Sequence, residues 1–155
     1  MLKIKSYVKV NSIEEAYELN QKKTAIVLGG MVWLKMGNRN ISTAIDLSGL
    51  GLDGIQETDE EFVIGCMTTL RELEIDKRLN EYTQGAMKES VRHIVGVQFR
   101  NCATVGGSIW GRYGFSDVLT MFLGMDTWVE LYNVGKIPLT EFVDRKKDND
   151  ILVNI

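Results

Sequence analysis

Two glycine pairs, far apart in the chain, limit what it can fold into more than any other feature. They are Gly29-Gly30 in Ala25-Ile-Val-Leu-Gly-Gly-Met31 and Gly106-Gly107 in Thr104-Val-Gly-Gly-Ser108. Each follows residues that read as extended, so each predicts a strand ending in a tight glycine turn. Glycine reaches positive φ without steric cost and has no side chain to hold a ligand away, so such turns let backbone N–H groups close on phosphate oxygens. Either pair alone is an ordinary turn signal. Their surroundings are more specific: Gln98-Phe-Arg-Asn-Cys-Ala-Thr-Val-Gly-Gly-Ser108 stands ahead of Asp117, and Ile64-Gly-Cys-Met-Thr-Thr-Leu70 lies upstream.

At 155 residues, 45% hydrophobic and 25% charged, the chain can bury a real core. With 18 Lys plus Arg against 21 Asp plus Glu, a net charge of -3 and no block of one sign, the electrostatic footprint of a nucleic-acid binder is missing. Apolar runs such as 25–28 and 118–123 fall far short of the ~20 residues that cross a bilayer. The N-terminus, Met-Leu-Lys-Ile-Lys-Ser, puts lysines where a signal peptide needs its apolar stretch, so a soluble cytoplasmic protein is expected. Cys66, Cys102 and His93 are the only cysteines and histidine, so no set of residues has metal-ligand spacing, and reduced, buried thiols are expected.

Local patterns predict an α+β chain in two lobes, 1–54 and 55–155. The first reads as β-α-β: a strand over 7–10, a helix over 13–22 opened by a Ser12/Glu15 capping box, a buried strand over 24–28 and another over 43–47. Residues 31–34 read as a short helix aiming its positive end at whatever the first turn holds. In the second lobe, 54–58 and 61–65 predict a hairpin. Thr69 and Glu72 form a second capping box for a helix reaching 75, and a further helix spans 83–94 until Gly96 stops it. The remainder reads as strand-rich, with antiparallel strands over 127–132, 137–139 and 151–155 and a charged loop over 144–150.

These residues resemble the flavin-binding domain of the molybdenum hydroxylases, the family of xanthine dehydrogenase and of the medium subunits of aerobic carbon monoxide dehydrogenases. The likeness spans nearly the whole chain. Family members show Ala-Gly-Gly-Thr-Asp-Leu in the first turn, Ile-Gly-Ala-x-Thr-Thr, and Gln-Ile-Arg-Asn-x-Gly-Thr-Ile-Gly-Gly-Asn/Ser followed by an Asp ten residues on. The resemblance implies two lobes holding an extended FAD, with Leu28, Gly29, Gly30, Met31, Val32, Trp33 and Leu34 in one turn. Thr104, Val105, Gly106, Gly107 and Ser108 form the other. It places Asp117 at the ribose and adenine end, Ile94 beside the flavin rings and Leu152 in a peripheral contact. It further implies a molybdopterin-binding subunit and a two-iron iron–sulfur subunit as partners, and NAD or another acceptor. The flavin carries such chemistry without an acid–base pair from the protein.

The chain departs from the family pattern in three ways. Met31-Val32 stands where the family has Thr-Asp, and each side-chain hydrogen bond lost there costs ~0.5–1.5 kcal/mol. Trp110-Gly-Arg-Tyr-Gly-Phe-Ser116 replaces a segment of small residues and a proline, with Arg112 read as a solvated surface arginine. The residues stop at the threshold of the family's C-terminal domain, which reads as either a fragment or a shortened natural subunit. A shortened or decayed non-catalytic scaffold, binding FAD weakly or not at all, is therefore the alternative expectation. Asp117 reads equally as a helix cap, Thr68 and Thr69 as helix-start residues, Arg100-Asn101 as a brace behind the second turn and His93 as a partly buried, satisfied side chain. Trp33, Trp110 and Trp128 read as core or interface packing, and Tyr113-Gly-Phe115 as a candidate partner surface.

Overall fold

A computed structural model describes all 155 residues. The chain opens with β1 (Lys3–Lys9), α1 (Ile13–Asn20), β2 (Ala25–Leu28) and β3 (Asn40–Asp46). The strands form an all-parallel sheet in the order β1-β3-β2, so the chain must cross over between strands, and α1 is the first crossover. Ser12 caps α1 by accepting from the Glu15 N–H at 3.2 Å, but Glu15 accepts in return from the N–H of Asn11 at 2.9 Å, one residue earlier than a capping box requires. Side chains alternate across the sheet. One face joins α1 and the main core through Ala16, Val27 and Ile45. A smaller cluster of Leu28, Ile41 and Ala44, with Leu2, Ile26, Met31 and Leu34 packed against it, lies apart from that core.

The expected hairpin is present as β4 (Ile55–Glu57) and β5 (Phe62–Ile64), antiparallel with Ile55 opposite Ile64. Thr69 and Glu72 form a full capping box at the start of α2 (Leu70–Ile75). The single helix expected over 83–94 is instead two, α3 (Lys77–Tyr82) and α4 (Ala86–Arg92). Asp76 nucleates α3 by accepting from the Leu79 N–H at 2.9 Å. Gln84 and Gly85, with φ of 52° and 85°, break the chain before α4. Gly96 does not stop a helix but precedes one, α5 (Val97–Arg100), while Val95 at φ 53° makes the turn.

Helices α6 (Val105–Gly111) and α7 (Asp117–Leu123) follow; α7 is the helix whose start Asp117 signals, whereas α6 falls in the stretch expected to be strand-rich. The antiparallel sheet then appears as β6 (Trp128–Leu131), β7 (Gly135–Pro138) and, beyond α8 (Leu139–Asp144), β8 (Leu152–Asn154), in the order β7-β6-β8. Helix α8 lies between the strand expected over 137–139 and the loop expected over 144–150, overlapping each by one residue; it is held by Leu139 and Phe142, buried three residues apart on one helical face. The mixed helix-and-sheet class is as expected. One core of 24 buried residues runs through it, from Val10, Ala16 and Ile45 to Leu70, Phe122 and Phe142.

Between α2 and α5, Arg100 is buried and paired with Glu74, Nε to Oε2 at 2.7 Å and Nη2 to Oε1 at 3.3 Å. Its Nη1 donates to the Ile94 carbonyl at 3.2 Å, so Arg100 holds the chain behind the second glycine pair as a brace.

Candidate functional site

The two glycine pairs meet. A Cβ built on Gly29 would stand 2.7 Å from Thr104 Oγ1 and 3.7 Å from the Cα of Gly107. On Gly30 it would stand 1.7 Å from the carbonyl oxygen of Cys102, and on Gly106 2.6 Å from that of Cys66. Gly65 is equally pressed, with Leu52 O 2.3 Å from its Cβ position. Four segments thus stack backbone on backbone. Hydrogen bonds fix the order: Met67 N–H donates to Leu52 O at 2.7 Å, Gly106 N–H to Cys66 O at 2.8 Å, Val105 N–H to Thr68 O at 2.8 Å and Leu70 N–H to Ala103 O at 2.9 Å. Thr68, fully buried, donates its hydroxyl to Gly54 O at 2.9 Å, so Thr68 and Thr69 act structurally.

None of the four paired glycines has positive φ; the left-handed residue of the first turn is Met31, at φ 57°. The glycines are there for close approach, and the conformational freedom expected of them is not used. The second pair does not end a strand either. It lies in the first turn of α6, after a single bridge between Thr69 and Thr104.

The donors are unevenly divided. The consecutive backbone N–H groups of Gly29, Gly30, Met31, Val32 and Trp33 meet no acceptor in the protein. A run of amides around a left-handed residue is an anion-binding arrangement. In the second turn the amides are already engaged: Gly106 with Cys66 O, Gly107 with Thr104 Oγ1 at 3.1 Å, and Ser108 with Thr104 O at 3.1 Å. The second turn therefore contributes an exposed wall without side chains at Gly107, and the first contributes the donors. Residues 31–34 do not form the short helix expected there; only a 3-10 turn at Leu34–Met36 follows.

Of the other residues expected at the site, Met31 and Leu34 pack on the small cluster, Val32 on the main core, and Leu28, Val105 and Leu152 are buried. The side chains at 31 and 32, where the family pattern has polar groups, are thus absorbed by packing. Ile94 also packs on the main core. Ser108 turns its hydroxyl back to Thr104 O at 3.1 Å. Asp117 is exposed and makes no hydrogen bond or ion pair. Ser116, accepting from the Leu119 N–H at 3.1 Å, caps α7 in its place and leaves the carboxylate unengaged.

Several side chains lie elsewhere than expected. Arg112 is not solvated: its guanidinium sits 3.9 Å from the Phe142 ring centre and 5.8 Å from that of Trp110, and Nη1 donates to Arg145 O. Burial pulls its pKa below the usual guanidinium value, against the opposing pull of Asp148. His93 is exposed, accepting at Nε2 from Arg92 at 3.0 Å. Cys66 is buried, which pushes its thiol up to about 12, whereas Cys102 is exposed; both are free.

Trp110 packs 5.7 Å from Phe142, but Trp33 is exposed and joins Tyr113 and Phe115, with ring centres 6.2 and 5.8 Å away. Sequence separation hides this contact, since Trp33 lies 80 residues from Tyr113. The available signal was a tryptophan inside the first turn and two aromatic residues shortly before Asp117.

The matching family model, described as the FAD binding domain in molybdopterin dehydrogenase, spans residues 2–155. The 6-hydroxypseudooxynicotine dehydrogenase complex subunit alpha of Paenarthrobacter nicotinovorans is 26% identical over 147 residues, covering 88% of this chain and 49% of that protein. The solved Cu,Mo-CO dehydrogenase in its cyanide-inactivated form aligns with a TM-score of 0.88 and 22% identity, over 99% of this chain and 59% of that one. Quinoline 2-oxidoreductase from Pseudomonas putida 86 aligns with a TM-score of 0.85 and 17% identity, over 96% and 57%. The two structural likenesses establish the fold. The chain spans about half the length of the curated relative it matches.

Proposed function

Because the chain belongs to the family of FAD-binding domains of molybdopterin dehydrogenases, we propose that it is the FAD-holding component of such a dehydrogenase, with the cofactor's diphosphate seated between the two glycine pairs. One observation carries this reading: the amides of Gly29 to Trp33 have no partner in the protein, and Gly29 lies directly against Gly107, which is exposed and brings no side chain. A diphosphate needs several fixed donors and close access to the backbone, and this cleft offers both. The free carboxylate of Asp117 supplies an acceptor for sugar hydroxyls. Bound there, FAD would supply the hydride and electron chemistry, and the partners that go with such a role are an iron–sulfur subunit, a molybdopterin-binding subunit and NAD or another acceptor. The protein's share is to bind, orient and hold.

Reconstitution tests it. The purified chain mixed with FAD and desalted should be yellow, with flavin absorbance approaching one per chain and a melting temperature that rises with FAD concentration. A colourless product without a thermal shift rejects the proposal and leaves the scaffold reading. The Met31→Thr, Val32→Asp double variant separates the two further. Since both native side chains are packed in apolar clusters, the variant should lose stability and gain no FAD affinity; a gain would mark a decayed site.

A further inference from the structure

The holding role leaves one feature unexplained. Trp33, Tyr113 and Phe115 are 55%, 43% and 67% exposed, and their rings lie 5.2 to 6.2 Å apart, Tyr113 and Phe115 nearly parallel at 14°. Single exposed aromatics need no explanation, but a cluster assembled from distant segments leaves apolar ring faces in water. Its position is defined by the cleft. The backbone N–H of Trp33 is the last of the unpaired donors. The Tyr113 ring lies against Gly111, 2.6 Å from where a Cβ there would stand. Gly111 is one turn of α6 beyond Gly107, about 6 Å along the axis. Phe115 precedes the free carboxylate of Asp117 by two residues.

Diphosphate donors and aromatic faces thus meet at Trp33, and a hydroxyl acceptor stands two residues from Phe115, which are the three groups that a nucleotide's diphosphate, base and ribose call for. From this juxtaposition we infer that Trp33, Tyr113 and Phe115 form the base-recognition end of the cleft and stack on the adenine of FAD, an inference that rests on the FAD-holding role above. The adenine end is favoured because an isolated carboxylate suits the vicinal diol of its ribose. Recognition there is by stacking: beyond the phenol of Tyr113 and the indole N–H of Trp33 the cluster brings no hydrogen-bonding group. Base–aromatic stacking needs none. The large residues at 113 and 115 replace the small ones of the family pattern, so this is a property of this chain.

Calorimetric titration of the full chain with FAD, ADP and FMN, in the wild type and in Trp33→Leu, Phe115→Leu and the double variant, tests the inference. Because both positions are exposed, the variants should melt close to the wild type. The double variant should bind FAD and ADP about tenfold more weakly or worse, with FMN, which lacks adenine, unaffected. ADP should quench tryptophan fluorescence in the wild type and lose that effect in Trp33→Leu. Wild-type FAD binding with unchanged FAD and ADP affinities in the variants overturns the inference and marks the cluster as a partner surface. Weaker FAD and FMN with unchanged ADP, or ADP that fails to displace FAD, overturns it in favour of the flavin end. A wild type that binds no FAD fails the parent reading instead, and the two failures are distinct.

Discussion

At position 30 no side chain of any size fits, because the carbonyl of Cys102 occupies the space a methyl group would need. Gly30→Ala must displace backbone, and overpacking of this kind costs about 3 kcal/mol, or roughly 6–12 °C in melting temperature for a chain of this length. Gly107 is exposed, and its Cβ position meets only the Thr104 hydroxyl, at 3.0 Å. Gly107→Ala should therefore melt within a few degrees of the wild type while losing about tenfold in FAD affinity, because the added methyl group narrows the cleft. Differential scanning calorimetry with FAD titration checks both, and a Gly30→Ala protein that melts like the wild type refutes the steric account. At this scale the two glycine pairs meet as the sequence suggested, through their missing side chains and not through positive φ. Positive φ is a local property and could be guessed from residue type, but the demand for empty space at Gly30 comes from Cys102, far along the chain. The strain-bearing φ fell on Met31, which no propensity would nominate.

Between elements, the Glu74–Arg100 pair joins α2 to α5 in the interior. Hydrogen bonding from Arg100, with a second contribution from Arg71, holds the Glu74 carboxyl below the ordinary glutamate range against the opposing effect of burial. Stability from a depressed carboxylate is fully present above the unfolded pKa and is lost as pH falls through the lower folded value. Urea unfolding should show this as a decline below about pH 4–5. Glu74→Gln leaves Arg100 buried without a counter-charge and should cost about 3–5 kcal/mol at pH 7. Its deficit against the wild type should shrink as the pH is lowered toward 3, and a deficit independent of pH would contradict the pairing. The position of Arg100 ahead of the second glycine pair marks it as a brace, but nothing local in the sequence singles out Glu74, 26 residues away, as its partner. Local signals served well where the cause was local, as in the Thr69/Glu72 capping box and the hairpin at 55–64. They failed at α3, where the Asp76 cap was overlooked, and at α8, where Leu139 and Phe142 are helical only because a core receives them.

Across the molecule, the segments 1–54 and 55–155 share one core: Val10, Ala16, Ile45 and Leu47 belong to the same buried cluster as Leu131, Leu139 and Phe142. We expect them to behave as lobes of a single cooperative unit. Thermal unfolding followed by far-UV circular dichroism and by tryptophan fluorescence should give coincident transitions, and 1–54 expressed alone should remain unfolded; separate transitions would show independent domains. The α+β class and the antiparallel C-terminal sheet were readable from alternation and turn residues. The meeting of the two glycine pairs was readable only through the family pattern, because nothing in either segment records its distance from the other.

The stacking of four segments at Gly65, Gly106 and Gly30 has a consequence for how such a molecule changes over time. Where main chain rests on main chain, the spacing does not depend on which side chains surround it, so substitution elsewhere can proceed freely while the amides keep their places. The meeting of these segments is specified by omission: a handful of missing methyl groups must be preserved for it to form. Such a site outlasts the resemblance of the sequences that encode it.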